Sequence, residues 1–208
     1  MATIAITPDQ NVIEAEIFVA APRERVFQAL TDPTQTPLWW GQKGMYQVTR
    51  SEADFRPGGK YFSEGEGADG KKFRVEGEYL EIDPPRLIVQ TWVPSFSDIT
   101  GTVVRWELES RSVHGLHTSG PRRMGTGTLV KLRHTGFANN RPAAEDHARG
   151  WQRVLGWMQA FVEKGETADT REPVSARSPA GRPGKGYFTP FSGSHDPCSL
   201  RTKTICPV

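Results

Sequence analysis

The side chains that could do chemistry in this chain are few, and the histidines come first. His134 stands in GTLVKLRHTGF, where alternation with Val130 and Leu132 aims it inward. An inward imidazole can act as a general base or orient a ligand carbonyl, or simply complete a buried hydrogen bond. His114 and His117 lie three apart, with Ser119 and Arg122 nearby. A metal site needs three or four ligands, and no Cys, Asp or Glu falls between Arg111 and Gly127. That segment reads as a solvated loop, and no metal is expected. His147, one helical turn before Trp151, reads as helix–sheet packing, and His195 shows no motif. Glu64, Glu66, Glu76 and Glu78 invite an acid–base reading, but Glu76 and Glu78 alternate with Phe73 and Val75 and share a face with Arg74. They read as an outer, solvated row. GxSxG is absent, and neither GxGxxG nor GxxxxGK[ST] precedes a helix. No nucleophile and no cofactor are expected, and an enzyme is the less favoured reading.

Apolar chemistry is far better supplied. Six tryptophans, four tyrosines and ten phenylalanines occur in 208 residues. The elements that position them follow from the period of the apolar residues. VIEAEIFVA alternates Ile13, Ala15, Ile17 and Val19 on one face, as a half-buried strand does. Pro22 opens a short helix through Val26, Phe27 and Leu30; Asp32-Pro33 stops it, and a second helical turn reaches Trp39-Trp40. From residue 45 to about 135 strands and turns succeed one another, with Phe73, Val75 and Tyr79, then Val104, Trp106 and Leu108, opposite charged residues. His147, Ala148, Trp151, Val154, Leu155, Met158, Phe161 and Val162 then recur at helical spacing. They predict one long helix over 141–164, with Pro142 in its first turn and Gly165 past its end. Trp157 is placed toward the flank of that helix.

Composition bounds the rest. With 36% hydrophobic residues the chain can build a core, and no run of about 18 apolar residues offers a membrane span. The N-terminus MATIAITPDQ has no basic residue, and both cysteines, Cys198 and Cys206, sit at the C-terminus. A cytoplasmic protein is the expectation. Residues 1–165 balance 20 basic against 20 acidic side chains, which gives no reason to seek nucleic acid or a membrane. Residues 166–208 hold six prolines, four glycines and five serines, and read as a disordered or loosely docked tail beside a 1–165 domain. Docking would use Tyr187, Phe188 and Phe191. On composition alone, removing residues 166–208 should leave the thermal midpoint nearly unchanged.

Five pieces, in order, resemble the START-like (SRPBCC) superfamily, and within it the family named for the activator of the ninety-kilodalton heat-shock protein ATPase. They are AAPRERVFQALTDPTQTPLWWG, FRPGGKYF, GEYLEIDPPRLIVQTW, GTLVKLRHTGF and HARGW, spread over residues 12–163. The resemblance implies a single-domain bacterial type with an α+β helix-grip fold. Its curved antiparallel sheet of about six to seven strands wraps a long C-terminal helix, with two short helices at one end. It also implies a cavity for hydrophobic ligands. Residues 110–126 exceed the usual link and are expected to lengthen a hairpin, and the tail has no family counterpart.

The expected function is binding of a hydrophobic small molecule between sheet and long helix. The expected lining is Trp39, Trp40, Tyr61, Phe73, Val75, Tyr79 and Trp92, with Val104, Trp106, Leu132, His134, Trp151, Leu155 and Met158. Trp106 is expected to turn one side of its ring to the void. Two alternatives stand beside this reading. A chaperone co-regulator would need the further N-terminal domain of the eukaryotic activators, and here only about eleven residues precede the first strand. A cyclase or hydrolase would use His134 as base, with Tyr61 or Tyr79 as donor. A homodimer is compatible with all three.

Overall fold

The computed structural model describes residues 1–113, 125–138 and 140–172. Nine strands form one sheet: β1 (Thr3–Ile6), β2 (Val12–Val19), β3 (Gly41–Gln42), β4 (Tyr46–Ala53), β5 (Lys60–Gly67), β6 (Lys72–Asp83), β7 (Leu87–Pro94), β8 (Thr102–Val113) and β9 (Gly125–Thr135). Their spatial order is β1-β2-β9-β8-β7-β6-β5-β4-β3, and every neighbouring pair is antiparallel. The helices are α1 (Arg23–Thr31), α2 (Thr36–Trp39) and α3 (Arg141–Lys164).

The count of nine corrects the expectation of six to seven. The two additions are the outermost strands: β1 has four residues and β3 has two. Neither is long enough to show a period, and each exists because a longer neighbour offers its free edge. Residues 110–113 and 125–126 extend the β8–β9 hairpin, with Val113 opposite Gly125. His114, His117, Ser119 and Arg122 lie outside the described residues.

Local chemistry explains the helix bounds. Asn140 caps α3 by accepting from the Ala143 amide at 3.2 Å, Pro142 occupies the first turn, and Gly165 ends the helix at φ 71°. The packed unit runs past that glycine. Ala168 is buried with its amide on the Leu38 carbonyl at 2.7 Å. Arg171 is buried too, and its guanidinium donates to the carbonyls of Trp39 (2.8 Å), Gly41 (2.6 Å), Trp157 (2.9 Å) and Glu166 (3.2 Å). Arg171 thereby ties the end of α2 and the start of β3 to α3. It also covers Trp157, whose ring lies 5.7 Å from the guanidinium carbon, so Trp157 is buried rather than flanking. The described residues belong to one compact unit. Tyr187, Phe188 and Phe191 lie outside the described residues.

The outer face of the sheet is a lattice of ion pairs. Arg74 pairs with Glu64 and with Glu76 (2.7 Å), Arg105 with Glu107 (2.6 Å), and Lys131 with Glu109 (2.5 Å). The inner face carries the core, and α3 packs over its β1–β2 side and against α1. The helix therefore covers one part of a wide sheet. Toward β4–β7 the contact comes from the four-residue α2, which packs on β4, and not from α3.

Candidate functional site

Under that part of the sheet lies a cavity of about 620 Å³. Its floor comes from β4 to β7, one wall from the first half of α3, and its roof from α1, α2 and the turn between them. A bulge between Val48 and Arg50 sets the floor of β4. Before it Tyr46 and Val48 point into the cavity; after it Ser51 and Ala53 do. The inserted residue shifts the alternation by one, which is why β4 shows no steady period in sequence.

Two glycines let aromatic rings lie flat on this floor. Gly65 is paired with Phe73, and Gly77 with Tyr61, across the β5–β6 ladder. A Cβ at Gly65 would come within 2.5 Å of the Phe73 ring, and one at Gly77 within 2.8 Å of the Tyr61 ring. Each ring occupies the place where its partner's side chain would stand. The opposite wall is an indole stack. Trp40 lies between Trp39 (5.2 Å between ring centres, 28°) and Trp92 (6.0 Å, 17°), and Trp92 leans on Trp151 at 4.9 Å.

Of the fourteen residues expected to line the cavity, Trp40, Tyr61, Phe73, Val75, Tyr79, Trp92 and Trp151 do so. Trp39, Val104, Trp106, Leu132, His134, Leu155 and Met158 do not; they form solid core. The reason is the off-centre position of α3. Inward residues of β8 and β9 pack into the core with the helix, so Trp106 stands edge-on to Trp151 at 5.5 Å and is not among the residues that line the cavity. Trp39 is fixed by its indole N–H on the Ala29 carbonyl at 3.0 Å, which joins α2 to α1. Sequence reasoning missed Tyr46 and Gln90 and assigned His147 to packing alone, although all three line the cavity. On α3 the lining residues are 143, 146, 147, 150, 151, 153 and 154, a helical stripe that a three-to-four spacing could have revealed.

His134 is fully buried, and its Nδ1 accepts the indole N–H of Trp151 at 3.0 Å. Burial, with His147 nearby, holds its imidazole well below the ordinary value, so the ring is neutral. His147 is also depressed by burial, against the opposing pull of the Ala143 carbonyl and Asp146. Tyr61 donates its hydroxyl to the Thr91 carbonyl at 2.7 Å, and burial raises its phenol above the ordinary range. Burial likewise pushes Tyr79 up to about 12. His134 is sealed away from the cavity and the Tyr61 hydroxyl already donates to Thr91, so the base and donor expected for an enzyme are not brought together around the cavity. Among the described residues no group of three His, Cys, Asp or Glu side chains is placed to hold a metal ion. No helix there is long and apolar enough to cross a membrane.

The model of the family described as Activator of Hsp90 ATPase homolog 1-like protein matches residues 20–119, from the start of the α1 segment past the end of β8. Over these residues the chain is similar to that family. Solved structures extend the likeness of fold over most of the chain. A protein from Chromobacterium violaceum is 25% identical, with a TM-score of 0.53, covering 74% of this chain and 97% of that one. A protein from Nitrosomonas europaea is 18% identical with a TM-score of 0.57, covering 77% and 98%. One from Rhodobacter sphaeroides is 19% identical with a TM-score of 0.59, covering 77% and 97%. No curated protein matches the sequence. The activator-like fold found here is therefore that of small bacterial proteins of nearly the same domain length.

Proposed function

We propose that this activator-like protein binds a small apolar molecule, aromatic or flat, in the cavity between β4–β7 and the first half of α3. The observation that carries the reading is the lining: Trp40, Trp92, Trp151, Tyr61, Tyr79 and Phe73 surround about 620 Å³. A ligand pocket for a small molecule spans roughly 300–1,000 Å³ and is mostly apolar with few polar groups. Burying apolar ligand surface there is worth roughly 25 cal/mol per Å² before the cost of association. Rings already held by stacking and by glycine partners lose little freedom when a ligand arrives.

Native mass spectrometry of protein purified without denaturation tests this reading. The expected spectrum shows an added mass that disappears on mild activation, or a saturable adduct after incubation with an aromatic compound. A spectrum that stays bare across a panel of apolar compounds contradicts it. Chaperone co-regulation, the activity in the family's description, needs a protein-binding surface instead. Stimulation of the chaperone ATPase by the same preparation would favour that second reading.

A further inference from the structure

Several of the polar side chains that face the cavity are already engaged. Ser51 and Ser63 meet each other at 3.0 Å, the Thr31 hydroxyl donates to the Phe27 carbonyl at 2.9 Å, and Tyr61 donates to Thr91. The charged lining residues Glu52, Asp69, Lys71, Lys72, Asp146 and Arg153 are all exposed and belong to the rim. Gln90 is different. Alternation with Ile88 and Trp92 puts it on the inner face of β7, between Tyr79 of β6 and the fully buried Val104 of β8. A side chain at that place in a central strand would ordinarily be sealed in core, yet Gln90 is only half-buried, because the cavity opens beside it. Its amide has two N–H donors and a carbonyl oxygen. The Tyr61 hydroxyl hydrogen is engaged by the Thr91 carbonyl, so the Tyr61 oxygen can only accept, and a Gln90 N–H reaches it and opposes the rise that burial causes in that phenol. The second N–H and the carbonyl oxygen are left for the cavity. They are not sealed: among the described residues the buried side-chain polar atoms without a partner lie on Arg23, Trp92, His134, His147 and Arg171, and none lies on Gln90.

We propose that the cavity binds its flat apolar ligand at Gln90 through an uncharged amide edge, a lactam or a primary carboxamide, whose carbonyl accepts from the Gln90 N–H and whose N–H donates to the Gln90 carbonyl. The proposal rests on the apolar-ligand reading above and adds the group that the ligand carries. One side chain supplies both the donor and the acceptor, so the pairing needs no second residue to be in register. An amide edge completes both bonds in parallel, whereas an ether or a ketone leaves the Gln90 carbonyl without a donor. A carboxylate would set its charge against that carbonyl, and an ammonium group would meet the N–H with no lone pair. Either ion would also leave its hydration behind, with the cavity's charged side chains out on the rim. The surroundings of Gln90 are neutral. Tyr79 stands opposite it in the ladder, with its ring 5.2 Å from that of Tyr61, and burial keeps both phenols protonated. The same two rings and Trp92 give the ligand its apolar faces.

The test titrates the full chain by calorimetry with three flat probes. In 2-quinolinone the lactam edge donates and accepts, its N-methyl derivative keeps only the carbonyl, and naphthalene has neither. The expected result is 2-quinolinone bound about tenfold more tightly than the N-methyl derivative, although the added methyl makes the derivative the more apolar molecule. Gln90→Met, which keeps the length of the side chain and removes its amide, should abolish that preference. Binding of 2-quinolinone no tighter than that of its N-methyl derivative by the unaltered protein would overturn the amide site. So would a preference that survives Gln90→Met, and in both cases bound naphthalene leaves the apolar cavity standing. Failure of all three probes to bind would remove both readings. The unaltered protein decides alone if the variant does not fold.

Discussion

His134 and His147 share a corner of the core with Trp92, Phe96, Phe137 and Trp151, and the one carboxylate acting there is Asp146 on the rim. Both histidines titrate below the ordinary value when folded. As pH falls below about 6.5 the unfolded chain takes up protons that the folded chain refuses, so stability drops. The contribution is intact above that pH and is lost going down, by at most about 1.4 kcal/mol per pH unit for each histidine. Thermal melts between pH 7 and 5 should show a falling Tm, and His134→Gln should flatten part of the slope. A Tm independent of pH over that window would contradict the buried neutral pair. Trp106 supplies a second test at this scale. With the cavity on the far side of Trp151, Trp106→Ala should cost the full 3–5 kcal/mol or so of a packed core aromatic. It should leave binding of a cavity probe close to that of the unaltered chain. A cheap substitution that abolished probe binding would put Trp106 back on the wall.

At the scale of elements, the floor of the cavity depends on residues that are not there. Gly77 lets Tyr61 lie across β6, and a Cβ at Gly77 would also sit 2.2 Å from the Thr91 carbonyl. Gly77→Ala should therefore destabilise by roughly 1–3 kcal/mol through overpacking and weaken binding as Tyr61 is pushed into the void. A denaturant midpoint unchanged by that substitution would show the floor to be slack. The segment after α3 gives an opposite pair of outcomes. Truncation after residue 175 keeps Arg171 and should leave Tm within about 1 °C, because the removed stretch cannot bury much apolar surface. Truncation after residue 165 removes the guanidinium that holds α2, β3 and α3 together. Losing several charge-assisted hydrogen bonds, about 2 kcal/mol together, should lower Tm by roughly 4–8 °C. This replaces the composition-based expectation of no change, which weighed proline and glycine content and could not see one arginine's carbonyl partners. Equal melts for the two truncations would contradict the tie.

For the whole molecule, strands and helices with a clean period were legible in the sequence. β2, β6, β8, β9 and α3 all show their buried faces as alternation or as a helical stripe. What was not legible is where the helix crosses the sheet. That depends on sheet width, which β1 and β3 increase, and on the bulge in β4. The period tells that Trp106 and Tyr79 both face inward, but only the crossing decides that one meets a helix and the other a void. His147 illustrates the same limit: its helical face was plain, and its place on the cavity wall was not. The central claim is that this void accepts an apolar molecule, and fluorescence titration with anilinonaphthalene sulfonate tests it most directly. One saturable site per chain, with quenching of tryptophan emission because Trp40, Trp92 and Trp151 line the cavity, is the predicted result. Probe fluorescence that rises without saturation, with tryptophan emission unchanged, would contradict it.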